Sequence, residues 1–253
     1  MLSSLDELPV CILSNIASFV DQHVFSEFVC LSRGNRDACL LPTNITFTTL
    51  ATLSTFREWH VRHRNMASVV PKINLELVVF SDDDLLSCIG MNIEKLVLHV
   101  KLYSFSGHGL RHLVSIPLTH LSIYKAFGLL DSSLIHISHL PITSLVLFKT
   151  YGITNDGIKH LASLGLTYLS LSDCARLTDD GIAHIANLPL TRLDLSGCIE
   201  LTNIALSHLT LCPLMKLDLS RSLLISSEAV VRTLHMTEIY RRYYGRLFEK
   251  IDL

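Results

Sequence analysis

The sequence predicts an α/β solenoid, a coil of short parallel strands that each return through a helical segment. Two observations lead there. Leu121, Leu145, Leu169, Leu193 and Leu217 recur every 24 residues, and Leu96 lies 25 residues before the first of them. Within a unit, the apolar spacing also changes from strand-like alternation to a helical period. A fixed period in this range marks a stack of repeats, because one unit cannot bury its own apolar face and must lean on its neighbours.

The clearest unit reads Leu166-Thr-Tyr-Leu169-Ser-Leu171-Ser-Asp-Cys174-Ala-Arg-Leu177-Thr-Asp-Asp-Gly181-Ile-Ala-His184-Ile185. Leu166, Leu169 and Leu171 form a strand whose leucines point inward while the intervening side chains face solvent. Gly181 to Ala186 has helical spacing, and Thr178, Asp179 or Asp180 is expected to accept from the free N–H groups at its own helix start. The next unit, Leu190 to Leu209, repeats the pattern. The unit resembles the cysteine-containing subtype of leucine-rich repeat, with Cys174 and Cys198 at that subtype's turn position. Lys101, Ala126, Thr150 and Ser222 stand there in other units, so the subtype pattern is partial. The resemblance implies a horseshoe of six or seven such repeats over residues 73–229.

Composition bounds the remaining possibilities. With 253 residues, 49% hydrophobic and 17% charged, the chain can bury a sizeable core and is too apolar for disorder. A net charge of −2, from 21 basic and 23 acidic residues, argues against a large nucleic-acid footprint. Seven cysteines without paired spacing read as small buried hydrophobes in a reducing compartment. No basic region precedes an apolar run, so neither a secretory signal nor a membrane span is expected. An intracellular protein, cytoplasmic or nuclear, fits these features; an organellar one with its leader removed fits as well.

Residues 1–41 read as a separate helical unit. Leu8, Pro9, Ile12, Leu13, Ile16, Phe19, Val20 and Asp21 have helical apolar spacing, with Pro9 suited to a helix start. Phe25, Phe28, Leu31, Ser32 and Arg33 continue at spacings of three and four. From Leu8 to Cys39 this resembles an F-box, the module that docks on the Skp1 adaptor of cullin–RING ubiquitin ligases. The resemblance implies that Leu8, Pro9, Ile12, Leu13, Ile16, Phe19, Phe25 and Phe28 bind a Skp1-like adaptor. Asn35 stands where the family usually has tryptophan, and Gly34 beside it weakens a helix. A helical cap on the repeat stack is the alternative, and one segment can serve both ends.

Residues 42–72 read as a linker or capping segment. Pro42 to Leu50 leans toward strand, and Thr55 to Arg64 reads as a basic helix carrying the only tryptophan, Trp59. Arg57, Arg62 and Arg64 either meet an acidic partner or form a solvated helix face. Asp82, Asp83 and Asp84 sit where helix-start caps are expected and give no metal signal on their own.

The strand positions between inward leucines are the candidate partner-binding face. They are Lys95, Val97, His99; His120, Ser122, Tyr124; Ser144, Val146, Phe148; Tyr168, Ser170, Ser172; Arg192, Asp194, Ser196; and Lys216, Asp218, Ser220. Exposed aromatics on a concave sheet suit a protein partner, so His99, Tyr124, Phe148, Tyr168, Arg192 and Asp194 are the expected contacts. Tyr124, Phe148 and Tyr168 are expected to share one patch, with His99, His120 and Lys125 as a polar rim; packing of these rings among themselves is the alternative. His112, His136, His160, His184 and His208 also recur every 24 residues, but lack cysteine or carboxylate ligands at ligand spacing and read as convex surface.

No phosphate-loop, zinc-protease, redox or nucleophile-elbow motif occurs, so neither catalysis, a cofactor nor a metal is expected. Residues 230–253 break the repeat. Tyr240, Tyr243, Tyr244, Leu247 and Phe248 have helical spacing, interleaved with Arg241, Arg242 and Arg246. A C-terminal helical cap with arginine stems lying along it is expected, and RNA contact within a larger assembly is the alternative. The function implied by resemblance is that of the substrate-recruiting subunit of an SCF-type ubiquitin ligase. The competing class is a constitutive scaffold in a large assembly, with RNA among its components.

Overall fold

The computed structural model describes residues 44–47, 73–101, 103–233, 238–241 and 249–250, with the backbone alone at 44–47, 231, 233, 238–241 and 249–250. The F-box-like unit at 1–41, and with it every expected adaptor contact from Leu8 to Phe28, lies outside the described residues. So do Arg57, Arg62, Arg64, Arg242 and Arg246.

The described chain is a leucine-rich repeat solenoid of α/β class. Its strands are β1 (Asn44–Phe47), β2 (Ile73–Val79), β3 (Ile93–Val100), β4 (His120–Tyr124), β5 (Ser144–Phe148), β6 (Tyr168–Ser170), β7 (Arg192–Asp194), β8 (Lys216–Asp218), β9 (Glu238–Arg241) and β10 (Glu249–Lys250). They form one sheet in chain order. The pairs from β1 to β9 are parallel, and β10 closes antiparallel on β9. The leucine register holds without slip. Leu96, Leu121, Leu145, Leu169, Leu193 and Leu217 are successive Cα partners across β3 to β8. All six are at most 2% exposed, so one continuous core runs under the sheet.

The return segments are helical but short. Three are 3₁₀ turns, at Asp82–Cys88, His108–Leu113 and Asp131–His136. Four contain α-helix: α1 (Asn155–Ile158), α2 (Asp179–Ile185), α3 (Asn203–His208) and α4 (Ser227–Thr233). Buried Ile158, Ile182, Ile185, Ala205 and Leu206 supply their core faces.

Two boundaries differ from expectation. The sheet begins at Asn44 rather than at 73, because β1 pairs with β2 through Asn44↔Asn74 to Phe47↔Leu77. At the other end Tyr240 and Arg241 lie in strand, not in a helical cap. Ile239 takes the place after Leu217 in the leucine register. An open edge at β8 offers unpaired N–H and C=O groups, which another strand satisfies and a helix does not.

Polar ladders join each unit to the next. Asp179 Oδ1 and Oδ2 accept from Thr202 N and Oγ1 at 2.9 and 2.6 Å. Asp131 holds Thr154 in the same way, Asn155 holds Thr178, and Asn203 accepts from Ser226 N. The expectation that Asp179 caps its own helix is therefore corrected: it caps the following unit's loop. A second ladder has Thr119, Thr143, Thr167 and Thr191 hydroxyls donating to carbonyls one repeat back. The third is the cysteine position. Cys174 Sγ, Cys198 Sγ and Ser222 Oγ donate to Leu147 O, Leu171 O and Leu195 O.

Candidate protein-interaction surface

Strand pairing sets three rings in one column. His99 pairs with Tyr124, and Tyr124 with Phe148, as Cα partners. The His99 and Tyr124 rings stack at 5.1 Å with 12° between planes; Tyr124 and Phe148 lie 5.9 Å apart, tilted by 57°. Spacings of this order are attractive for ring pairs and fix their orientation before a partner arrives. His99 Nε2 also lies 2.7 Å from Glu76 Oε1, which anchors the end of the stack. Lys149 Nζ sits 5.2 Å from the Phe148 ring centre, a cation–π contact. His99 is thus a member of the stack rather than its rim.

Tyr168 does not join this column. It pairs with Ser144 on one side and Arg192 on the other. That is four residues along the strand from Phe148's register, about 13 Å at strand rise. Burial pushes the Tyr168 hydroxyl pKa above 10.0, and the neighbouring Asp194 carboxylate adds to the rise. Tyr168 is a half-buried, neutral phenol beside a carboxylate, off the register of the three stacked rings, with Tyr124 near enough to add to the rise.

The serines expected on this face are mostly covered. Ser122, Ser170, Ser172, Ser196 and Ser220 are buried, with exposures of 3–8%. Alternation does place them on the concave side, but so short a side chain stands little above the sheet. In the later repeats the polar groups satisfy one another. Asp194 accepts from Ser170 Oγ and from Ser196 N, both at 2.9 Å; Ser172 and Ser196 share a hydrogen bond of 2.8 Å. Asp218 accepts from Ser220 N. Arg192 is exposed. The presentable aromatic surface is therefore concentrated in the early repeats.

A second aromatic column went unread in the sequence. Tyr103, Phe127 and Tyr151 lie on the loop that follows each strand, again 24 residues apart. Their ring centres are 5.5 and 5.2 Å from one to the next. The signal that finds them is the repeat period itself, applied to the loops and not only to the leucines.

Thiol chemistry is suppressed here. Burial pushes Cys174 up to about 11 and Cys198 well above its ordinary range. Cys88, Cys174, Cys198 and Cys212 are all free thiols. The histidine column is spread over separate return segments. His108 and His136 approach edge-on at 6.0 Å, and burial, aided by His108 and Arg111, holds His136 below its usual pKa. Among the described residues no three metal-ligating side chains converge. Among them, too, no helix is long and apolar enough to cross a membrane.

No family model matches the chain, and no curated protein matches it. Among solved structures it is similar to one described as the crystal structure of Rad7 and Elc1 complex in yeast. That match has 14% identity and a TM-score of 0.46, and covers 95% of this chain and 86% of the other.

Proposed function

We propose that the chain is a non-catalytic recruiting subunit of an SCF-type ubiquitin ligase. In this reading residues 8–39 dock on a Skp1-like adaptor and the concave sheet holds a protein target. The observation that carries the recruiting half is the His99–Tyr124–Phe148 column, three rings pre-set by strand register on the early concave face. Large rings already fixed in place lose little rotamer freedom on binding, which suits an interface anchor. The adaptor half is supported by the sequence resemblance of Leu8 to Cys39.

Absence of a reaction of its own is part of the proposal.

Copurification of the full chain with a Skp1-like protein tests the reading. Stable one-to-one binding that is lost when Leu8 and Ile12 are replaced by Asp supports it. Failure of two folded proteins to associate, together with stable migration of the native chain in a megadalton particle, replaces it with the scaffold reading.

A further inference from the structure

The loop rim beside the concave face carries an apolar stripe that runs the length of the regular repeats. Tyr103, Phe127, Tyr151, Ala175, Ile199 and Leu223 occupy one register position at 24-residue steps. Tyr103 is 77% exposed, Tyr151 45%, Ile199 47% and Leu223 44%. Isolated exposed hydrophobics are ordinary, but four exposed ones in one column, with the half-buried Phe127 and Ala175 between them, make a stripe of the kind that marks binding surfaces.

The charge beside the stripe is uneven. Two residues before each aromatic stands a lysine: Lys101, Lys125 and Lys149. Lys101 and Lys125 are exposed, and neither makes an ion pair with another described residue. Lys149 lies 3.9 Å from Asp173 Oδ2, a loose contact. In the next units the equivalent positions are Asp173, Gly197 and Arg221, where Asp173 is neutralised within the chain. The aromatic end of the stripe is therefore the cationic end.

Ring geometry selects among anionic partners. Phe127 has Tyr103 on one side and Tyr151 on the other, the latter nearly parallel at 22°. A nucleobase needs an open ring face on which to stack, and both faces of Phe127 have ring neighbours. What remains at Phe127 is the ring edge, a ridge on which the apolar side chains of an extended segment can lie.

We infer that this rim is a second docking surface, separate from the concave column, and that it takes an extended acidic protein segment. Carboxylates of that segment meet Lys101 and Lys125, while its alternate apolar side chains lie on the Tyr103–Phe127–Tyr151 edges and along the stripe. Five strand steps of about 4.8 Å give a stripe of about 24 Å, the length of about seven extended residues. The surface needs no ligase adaptor, so failure of the adaptor reading leaves it standing.

The test is fluorescence anisotropy with the full chain and three labelled probes. One is a ten-residue peptide alternating Glu and Leu, one its Lys and Leu counterpart, and one a ten-nucleotide uridine oligomer. The acidic peptide is expected to bind at least about tenfold more tightly than either of the others, with affinity falling as salt rises. Lys101→Glu with Lys125→Glu is expected to lose at least about tenfold of that affinity, as is Tyr103→Ala with Tyr151→Ala, and Tm is expected to stay near the parent value in the lysine pair. Phe148→Ala, on the concave column, is expected to leave it unchanged. Equal binding of the two peptides, tighter binding of the oligomer, no measurable binding of the acidic peptide, or indifference to the lysine pair each overturns the inference.

Discussion

Arg221 Nη2 lies 2.8 Å from Asp173 Oδ1, although the two residues are two repeats apart. The residue between them in the column is Gly197, at φ +72°, and a Cβ built there would stand 2.0 Å from Asp173 Oδ1 and 3.2 Å from Arg221 Nη2. The missing side chain is what lets the pair close. The same column places Lys125, Lys149, Asp173 and Arg221 in the left-handed region, where only glycine is free of a steric cost. Lys125, Lys149, Asp173 and Gly197 donate their N–H groups to the next repeat's carbonyls at Phe148, Ser172, Ser196 and Ser220, which offsets that cost. Gly197→Ala is therefore expected to lower stability by about 1–3 kcal/mol, through left-handed strain and displacement of Asp173. Arg221→Ala is expected to cost under about 1 kcal/mol, because the guanidinium side is more than half exposed and screened. Urea denaturation of both variants checks the order; an Arg221 variant weaker than the Gly197 variant contradicts it.

The inter-repeat ladder separates two neighbouring aspartates. Asp179 binds Thr202 N and Oγ1, while Asp180 is exposed. Asp179→Ala is expected to cost about 1.5–3 kcal/mol, the range for bonds to a charged acceptor, and Asp180→Ala to stay within about 0.5 kcal/mol. Equal losses at the two positions by thermal melting count against the ladder as a source of stability.

Asp82 gives this ladder a pH signature. Burial raises its pKa, but bonds from Gly109 N, the Ser106 hydroxyl and N–H, and Gly107 N outweigh that and hold the carboxyl below its ordinary 3.8. A folded pKa below the unfolded one means the stabilisation is complete above the unfolded value and is lost as pH falls through the folded value. The stability difference between the parent chain and Asp82→Asn is thus expected to be constant above about pH 5 and to shrink toward about pH 2. Denaturant midpoints across that range measure it; a difference that grows on acidification has the wrong sign.

The cysteine position is a hydrogen-bond site, not a reactive one. Cys198 Sγ donates to Leu171 O at 3.1 Å, as Ser222 Oγ does to Leu195 O at 2.8 Å. Cys198→Ser keeps a donor of similar size and is expected to cost about 1 kcal/mol or less. Cys198→Val removes the donor, leaves a buried carbonyl less satisfied and is expected to cost about 1–3 kcal/mol. With thiols pushed this far up, native iodoacetamide labelling at pH 8 is expected to spare Cys174 and Cys198 until the chain is unfolded.

The leucine core was legible because its signal is periodic and strictly in register: every inward strand position from Leu96 to Leu219 is filled by an apolar residue. The ladders were harder to read, because Thr178, Asp179 and Asp180 look locally like a self-capping helix start. Only stacking reveals that the carboxylate of Asp179 reaches Thr202, 23 residues on. Alternation gave the correct face for Ser170 and Ser172 but not their burial, which depends on the size of neighbours one strand away. The Tyr103–Phe127–Tyr151 column is equally periodic but lies in loops, where no local alternation marks the register. The strand at Glu238–Arg241 follows from the open edge of β8, a tertiary demand that overrides the helical spacing at Tyr240.

The concave column makes a prediction that separates binding from folding. Leu145 and Phe148 share strand β5, but Leu145 is wholly buried while Phe148 is half-exposed and touches Tyr124 and Lys149. Leu145→Ala removes packed methyl groups and leaves a cavity, so about 2–5 kcal/mol of stability is expected to go. Phe148→Ala loses one ring pair and one cation–π contact, about 1–2 kcal/mol together, and leaves the leucine register intact. If the early concave face is where a target sits, the same variant removes an anchor worth about 2 kcal/mol of affinity, close to a thirtyfold loss. Thermal melting beside pulldown of native partners distinguishes the two effects. A Phe148→Ala chain that still folds, melting above Leu145→Ala, and loses its partners supports the concave site. One that keeps every partner removes this column from the interface, and the rim beside it becomes the surface on which those partners must be mapped.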